Sequence, residues 1–218
     1  MTKKAEIITF GCRLNIYESE ILKQGVKEHE VKNTSIFNSC AVTAESVRQV
    51  KQSIRKRRRE FPEEKIVVTG CAAQIDPETF SKMQEVDLVS GNIEKRDILN
   101  ILSKEKDSKK IEVQNIMETR QSLNGLTDGY DNRSRAFIEI QNGCDHRCTF
   151  CIIPFGRGNS VSKSVKNIIN EINLMIEKGH KEIVLTGVDI ASWGHDLDKK
   201  SNLGFLVKKI LQGSPDLT

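Results

Sequence analysis

No run of apolar residues in this chain approaches the length of a membrane span, so a helical membrane anchor within it is excluded. The N-terminus, MTKKAEIITFGC, has too short an apolar run for a secretory signal, and no small-residue cleavage site follows it. Both absences point to a cytoplasmic protein, whose thiols stay reduced. Internal repeats and low-complexity tracts are also missing, which excludes repeat arrays. Aromatic residues are scarce, at 5% with a single tryptophan. Neither sign of charge dominates: 34 basic against 30 acidic residues leave a net charge of +4. That balance permits a polyanionic partner without demanding one.

What remains is an ordinary soluble composition, 37% hydrophobic and 29% charged, over 218 residues. This length holds one large or two small domains. Strand-like segments at Glu6–Phe10, Ser35–Asn38, Lys65–Thr69 and Asp87–Val89 alternate with helical patterns over 16–26, 44–60 and 94–102. Pro77 suits the first turn of a further short helix. Such alternation predicts βαβ units and a mostly parallel sheet. The polar stretch 103–110 and the Gly/Asp/Asn/Ser-rich stretch 121–135 read as linker, with a possible strand at 111–113 between them. A second set opens with strand 136–141. Ser164 is placed to cap a helix over 165–178, and Gly179 to end it. Strand 182–186 and helix 203–212 follow.

The six cysteines fall into two sets. Cys144, Cys148 and Cys151 stand in QNGCDHRCTFC, a C-x3-C-x2-C loop directly after a strand. Three thiolates in so compact a loop can ligate one 4Fe–4S cluster and leave one iron open to a small molecule. Ligand sites of β/α barrels gather at the C-terminal ends of the strands. The next strand ends at Thr186, so Gly187 and Asp189 belong on that same face. The alternatives are structural zinc, with His146 as a further ligand, or inert buried thiols.

Cys12, Cys40 and Cys71 are far apart, yet each follows a short strand by a residue or two, past Gly, Ser and Gly respectively. Parallel strands present their C-terminal ends along one edge, so the three thiols are placed to converge. Three independent small buried residues are the other reading.

QNGCDHRCTFCIIPFGRG resembles the signature of the radical S-adenosylmethionine superfamily. GCRLNIYES, FNSCAVT and VVTGCAAQ look like the three cysteine motifs of the methylthiotransferase N-terminal domain. The resemblance implies two 4Fe–4S clusters, one on Cys144, Cys148 and Cys151, the other an auxiliary cluster on Cys12, Cys40 and Cys71. It implies S-adenosyl-L-methionine as cofactor, with Phe150 near its adenine and Gly187, in TGVD, near its methionine amino group. Asp189 of the same segment joins the expected cofactor-binding residues. Arg157, between glycines, is placed to meet an anionic group of cofactor or substrate, or to act as a structural hydrogen-bond donor. Asn15 and Glu18 match the first motif, with no role legible from the sequence.

The implied organisation is α/β: an N-terminal parallel-sheet domain over 1–107, a linker over 108–133, and an incomplete radical-enzyme β/α barrel over 134–218. The chain is expected to be a fragment or truncated product, since the family carries further barrel units and an RNA-binding β-domain. The branch most resembled modifies threonylcarbamoyladenosine in tRNA at C2. Its siblings act on isopentenyladenosine tRNA or on a ribosomal protein. Partners implied are tRNA and an electron donor. One departure is Val161, where the family has arginine. The rival reading is a non-catalytic iron–sulfur or zinc module. Arg48, Lys51 and Arg55 to Arg59 form a basic helix that reads either as an RNA-attracting patch or as a solvated helix end.

Overall fold

The computed structural model describes residues 4–103, 110–118, 129–130, 134–198 and 201–214. Most of the expected 108–133 linker therefore lies outside the described residues. The first unit runs β1 (Glu6–Thr9), α1 (Arg13–Glu28), β2 (Thr34–Ser39), α2 (Ala44–Glu60), β3 (Lys65–Gly70), α3 (Cys71–Ile75), α4 (Pro77–Ser81), β4 (Leu88–Ser90), α5 (Ile98–Ser103) and β5 (Ile111–Glu112). Its five strands pair in parallel in chain order, β1-β2-β3-β4-β5. The strand at Ile111–Glu112, inside the stretch read as linker, is thus the outer strand of this sheet.

The sheet is covered on both faces, as parallel sheets are. Alternate residues of each strand go to opposite sides. Phe37, Ile66 and Val68 meet Val50 and Ile54 of α2 on one face. Ile36 and Val67 meet Leu22 and Val26 of α1 and Ile98 of α5 on the other.

The second unit runs β6 (Arg135–Glu139), β7 (Gln141–Asn142), α6 (Ile153–Arg157), β8 (Val161–Ser162), α7 (Val165–Glu177), β9 (Glu182–Thr186) and α8 (Leu203–Gly213). Strands β6 and β9 pair in parallel, from Arg135↔Glu182 to Glu139↔Thr186. The pattern from 136 to 141 reads as one strand, but it breaks at Ile140. Beyond the break, β7 pairs antiparallel with β8 and closes the base of the cysteine loop. Ser164 caps α7 by accepting from the Asn167 N–H at 3.3 Å, and Gly179 follows at φ +87. Ile168, Ile172 and Met175 of α7 pack against Ala136 and Ile138 of β6.

Helix α1 joins the two units. Leu22 and Val26 lie on the first sheet, while Tyr17, with Ile16 and Ile21, enters the core around β6 and α7. One helix thus serves two cores because its apolar residues lie on two stripes.

Candidate metal centre

Register places the first cysteine set. Asn38 of β2 aligns with Thr9 of β1 and Thr69 of β3, and Ser39 aligns with Gly70. Cys40 and Cys71 each follow that last aligned pair, on neighbouring strands about 4.8 Å apart. Cys12 arrives over Gly11, whose φ of +92 turns the chain toward β2. A side chain at Gly11 would lie 2.5 Å from both Cβ and Sγ of Cys40. The structure therefore brings Cys12, Cys40 and Cys71 to one sheet edge, with Cys40 and Cys71 buried and Cys12 exposed. Burial pushes the Cys40 thiol up, the Val42 backbone opposes this, and the neighbouring Cys71 and Cys12 add to the rise.

Arg157 enters this set from the other unit. It ends α6, six residues past Cys151, and is 6% exposed. Its Nε donates to Cys71 Sγ at 3.0 Å. Nη1 donates to Glu18 Oε1 and Nη2 to Asn15 Oδ1. Lys95 Nζ holds Glu18 from the far side at 2.8 Å and reaches Asn38 Oδ1 at 3.1 Å. Burial alone would raise the Glu18 pKa, but Arg157 and Lys95 outweigh it and push it down to about 2. Burial likewise opposes the Arg157 charge, and Cys71 and Glu18 outweigh it. Of the two roles open to Arg157, the contacts are those of a structural donor: its anionic partner here is Glu18 of the protein itself, not a group of cofactor or substrate. Glu18 and Asn15 acquire the role their motif did not reveal. Lys95 gave no sequence signal, since nothing local ties it to a cysteine.

The second set lies on the loop between β7 and β8. The Cys151 N–H donates to the Cys148 carbonyl at 3.0 Å, and the Cys144 N–H to that of Gly158 at 3.0 Å. Cys148 is exposed, Cys144 and Cys151 half-buried. Burial pushes the Cys144 thiol up; the His146 backbone opposes this, and Asp189, Cys151 and Cys148 add to it. Gln141, which sequence reading passed over, ties this loop to the segment after β9. Its Oε1 accepts from the N–H groups of Val188 (3.0 Å) and Asp189 (2.8 Å), and its Nε2 donates to the Gly143 carbonyl at 2.7 Å. Gly187 sits where a side chain would fall 2.7 Å from the Gln141 carbonyl, so only glycine lets the two segments approach. Asp189 lies 3.2 Å from His146 Nε2 and accepts from Ser192 Oγ at 2.6 Å. His146 thus faces Asp189. Phe150 is 91% exposed at the loop tip.

The donor chemistry fits two clusters. All six thiols are free, none in a disulfide. Among the described residues, no three His, Cys, Asp or Glu close tightly enough on one point to hold a single ion. Thiolates are the usual ligands of iron–sulfur clusters, so six free thiols in two sets of three are of the right chemistry for that role.

The basic helix is largely spent on ion pairs. Arg57 binds Glu64 (2.5 Å) and Glu6 (2.7 Å), Arg58 binds Asp87 (2.5 Å), and Arg48 binds Glu45 (2.6 Å). Arg55 and Lys56 stand within 3.9 and 3.8 Å of Glu85 and Glu60. This pairing favours the solvated helix end over the RNA patch. Val161, the departure from the family, lies in β8 opposite Asn142.

Comparison with known proteins bears directly on these two sets. The model described as "Uncharacterized protein family UPF0004" matches residues 4–91, and that of the radical SAM superfamily matches residues 138–210. The threonylcarbamoyladenosine tRNA methylthiotransferase MtaB of Rickettsia prowazekii (strain Madrid E) is 44% identical over 214 residues, 98% of this chain and 50% of the relative. Each of the two units thus matches one of these two family models, and the most similar relatives carry methylthiotransferase names. The chain spans about half the length of the curated relatives it matches. The Aquifex aeolicus (strain VF5) protein of the same MtaB name is 34% identical, over 96% of this chain and 53% of its own length. A tRNA-2-methylthio-N(6)-dimethylallyladenosine synthase from Pelagibacter ubique (strain HTCC1062) is 31% identical, over 96% and 50%. Among solved structures, the radical S-adenosylmethionine methyltransferase TsrM from Kitasatospora setae superposes with a TM-score of 0.55 at 14% identity, covering 85% of this chain and 48% of its own. That likeness concerns the fold alone.

Proposed function

We propose that this chain holds two 4Fe–4S clusters and S-adenosyl-L-methionine, and carries the cluster-binding part of a tRNA methylthiotransferase. Its substrate in that reading is N6-threonylcarbamoyladenosine beside the anticodon, modified at C2. When bound, the clusters and S-adenosyl-L-methionine supply the methyl group, the sulfur attachment and the radical that abstracts hydrogen from the base. The single observation that carries the reading is the pair of thiol triads, with buried Arg157, six residues past Cys151, hydrogen-bonded to Cys71 of the other set.

The chain's residues divide the work. Cys12, Cys40 and Cys71 are the ligands of the first cluster, and Cys144, Cys148 and Cys151 those of the second. Gly187 and Asp189 stand beside the second triad and border the cofactor. Gln141 fixes their backbone against the cysteine loop. Phe150, exposed at the loop tip, is free to lie on an adenine ring. A relative named for threonylcarbamoyladenosine tRNA, 44% identical against 31% for the dimethylallyladenosine synthase, supports the substrate branch.

Two measurements test this reading. The reconstituted chain under anaerobic reduction is expected to cleave S-adenosyl-L-methionine to 5′-deoxyadenosine, and Cys148→Ala to abolish that cleavage. Nucleoside mass spectrometry of tRNA from cells lacking the gene is expected to show loss of the 2-methylthio form of threonylcarbamoyladenosine. Loss of the isopentenyladenosine counterpart instead would move the chain to the sibling branch. No cleavage by a fully iron-loaded chain would favour a non-catalytic iron–sulfur module.

A further inference from the structure

The Arg157 network is more than a lock between the two units. Arg157 stands on the element that leaves the second cysteine loop, yet its only sulfur contact among the described residues is Cys71 of the first set, at 3.0 Å. Its forked guanidinium is held on two further sides, by both oxygens of Glu18 and by Asn15 Oδ1. Asn15 is itself fixed, donating to the carbonyls of Phe10 (2.7 Å) and Ser39 (3.0 Å), which flank Cys12 and Cys40 in the chain. Two of the groups that hold Arg157, Cys71 and Asn15, thus belong to the first triad or brace the backbone beside it. The site is dry: Arg157, Asn15, Glu18 and Lys95 are all nearly inaccessible to solvent, at 6, 0, 2 and 1%.

Formal charges decide what such a site does. Arg157 brings a positive charge directly onto a thiol of the first set, and Glu18 sets a negative charge against it from the other side of the guanidinium. Reducing an iron–sulfur cluster adds a negative charge. A hydrogen bond to a ligand sulfur and a nearby cation both favour the reduced state, and hydrogen bonds to sulfur are a recognised lever on cluster potential. Burial keeps water from screening the effect.

We propose that Arg157 is a positioning residue that tunes the cluster on Cys12, Cys40 and Cys71, raising its reduction potential by a charged hydrogen bond to Cys71, with Glu18 as the opposing charge that moderates it. This rests on those three cysteines being cluster ligands. The physical content is a pair of opposite signs. Removing the Arg157 charge lowers the potential, and removing the Glu18 charge raises it. A merely structural pair would disturb the cluster in the same sense whichever partner was lost.

The test is an anaerobic redox titration, followed by electron paramagnetic resonance, on the full chain carrying Cys144→Ala, Cys148→Ala and Cys151→Ala. Only the first cluster remains in that background. Arg157→Gln is expected to shift its potential to more negative values. Arg157→Lys is expected to shift it less, since the charge stays but the fork is lost. Glu18→Gln is expected to shift it to more positive values. Unchanged potential in either Arg157 variant at full iron content overturns the proposal, as does a shift of the same sign in Arg157→Lys and Glu18→Gln. Should Arg157→Gln fail to fold, Arg157→Lys and Glu18→Gln decide alone. Failure of the underlying reading looks different: the chain with Cys12, Cys40 and Cys71 all replaced by Ala would then keep its full iron content.

Discussion

Glu18 and Glu139 show how two buried carboxyls of one chain come to opposite states. Glu18 meets two cations and is held ionised, down to about 2. Glu139, at the end of β6, is raised to about 8, chiefly by burial, with Lys163 opposing. It accepts one hydrogen bond, from Asn142 Nδ2 at 3.1 Å, and its other oxygen has no partner among the described residues. The signs of their pH effects follow by linkage. A carboxyl with a depressed folded pKa adds stability above its unfolded value, and loses it as pH falls, here from about 4.5 toward about 2. A carboxyl with a raised folded pKa holds its proton while the unfolded chain releases it. Stability is then lost as pH rises, between about 4.5 and about 8. Glu139→Gln, which cannot ionise, is expected to be more stable than the parent at pH 8 and to differ less at pH 5. Urea midpoints at the two pH values check this, and a parent as stable as the variant at pH 8 would contradict it. Glu18→Ala leaves Arg157 and Lys95 buried without their anion. It is expected to cost about 3–5 kcal/mol in urea unfolding, the range for breaking one side of a buried pair. Gly11→Ala drives a methyl group into Cys40 at a backbone angle that suits glycine. Selective loss of iron from the first set, with the second retained, is its expected signature.

At the scale of elements, most of the fold was legible in the sequence because strand and helix periods differ. The helix over 44–60 coincides with α2, and strand 182–186 with β9. Ser164, Pro77 and Gly179 sit at the helix ends expected of them. What escaped was short. Helices α3 and α6 are five residues each, too brief to show a period. The β7–β8 pair is two residues on each side: Gln141 of β7 read as the end of strand 136–141, and β8 gave no signal of its own. These short pieces carry the site: α3 begins at Cys71 and α6 ends at Arg157. The cysteines could be found from local motifs, whereas Arg157, Lys95 and Gln141 reach their partners only through tertiary contact. Helix α1 carries the prediction at this scale. Tyr17 Oη accepts from Lys163 Nζ at 2.8 Å, tying α1 to the second unit. Tyr17→Phe keeps the ring in its core and removes that acceptor. A loss of about 1–2 kcal/mol is expected by chemical denaturation. Amide exchange should quicken more around Lys163 than in the first sheet.

For the molecule as a whole, the seam between the two units is where sequence-distant residues become one site. There Arg157 of α6 meets Cys71 and, on α1, Glu18 and Asn15, in a cluster that solvent barely reaches. Among the described residues, no helix is long and apolar enough to cross a membrane. The central claim is that each triad is a cluster site in its own right. Mössbauer spectroscopy with iron quantification on the anaerobically reconstituted chain tests it most directly, on the parent and on the two triple-alanine variants. Two cluster sites hold about eight irons per parent chain. Replacing either Cys12, Cys40 and Cys71 or Cys144, Cys148 and Cys151 is expected to halve the iron and to leave an intact 4Fe–4S spectrum. A parent chain that takes up one cluster only, with iron indifferent to the loss of Cys12, Cys40 and Cys71, would contradict it.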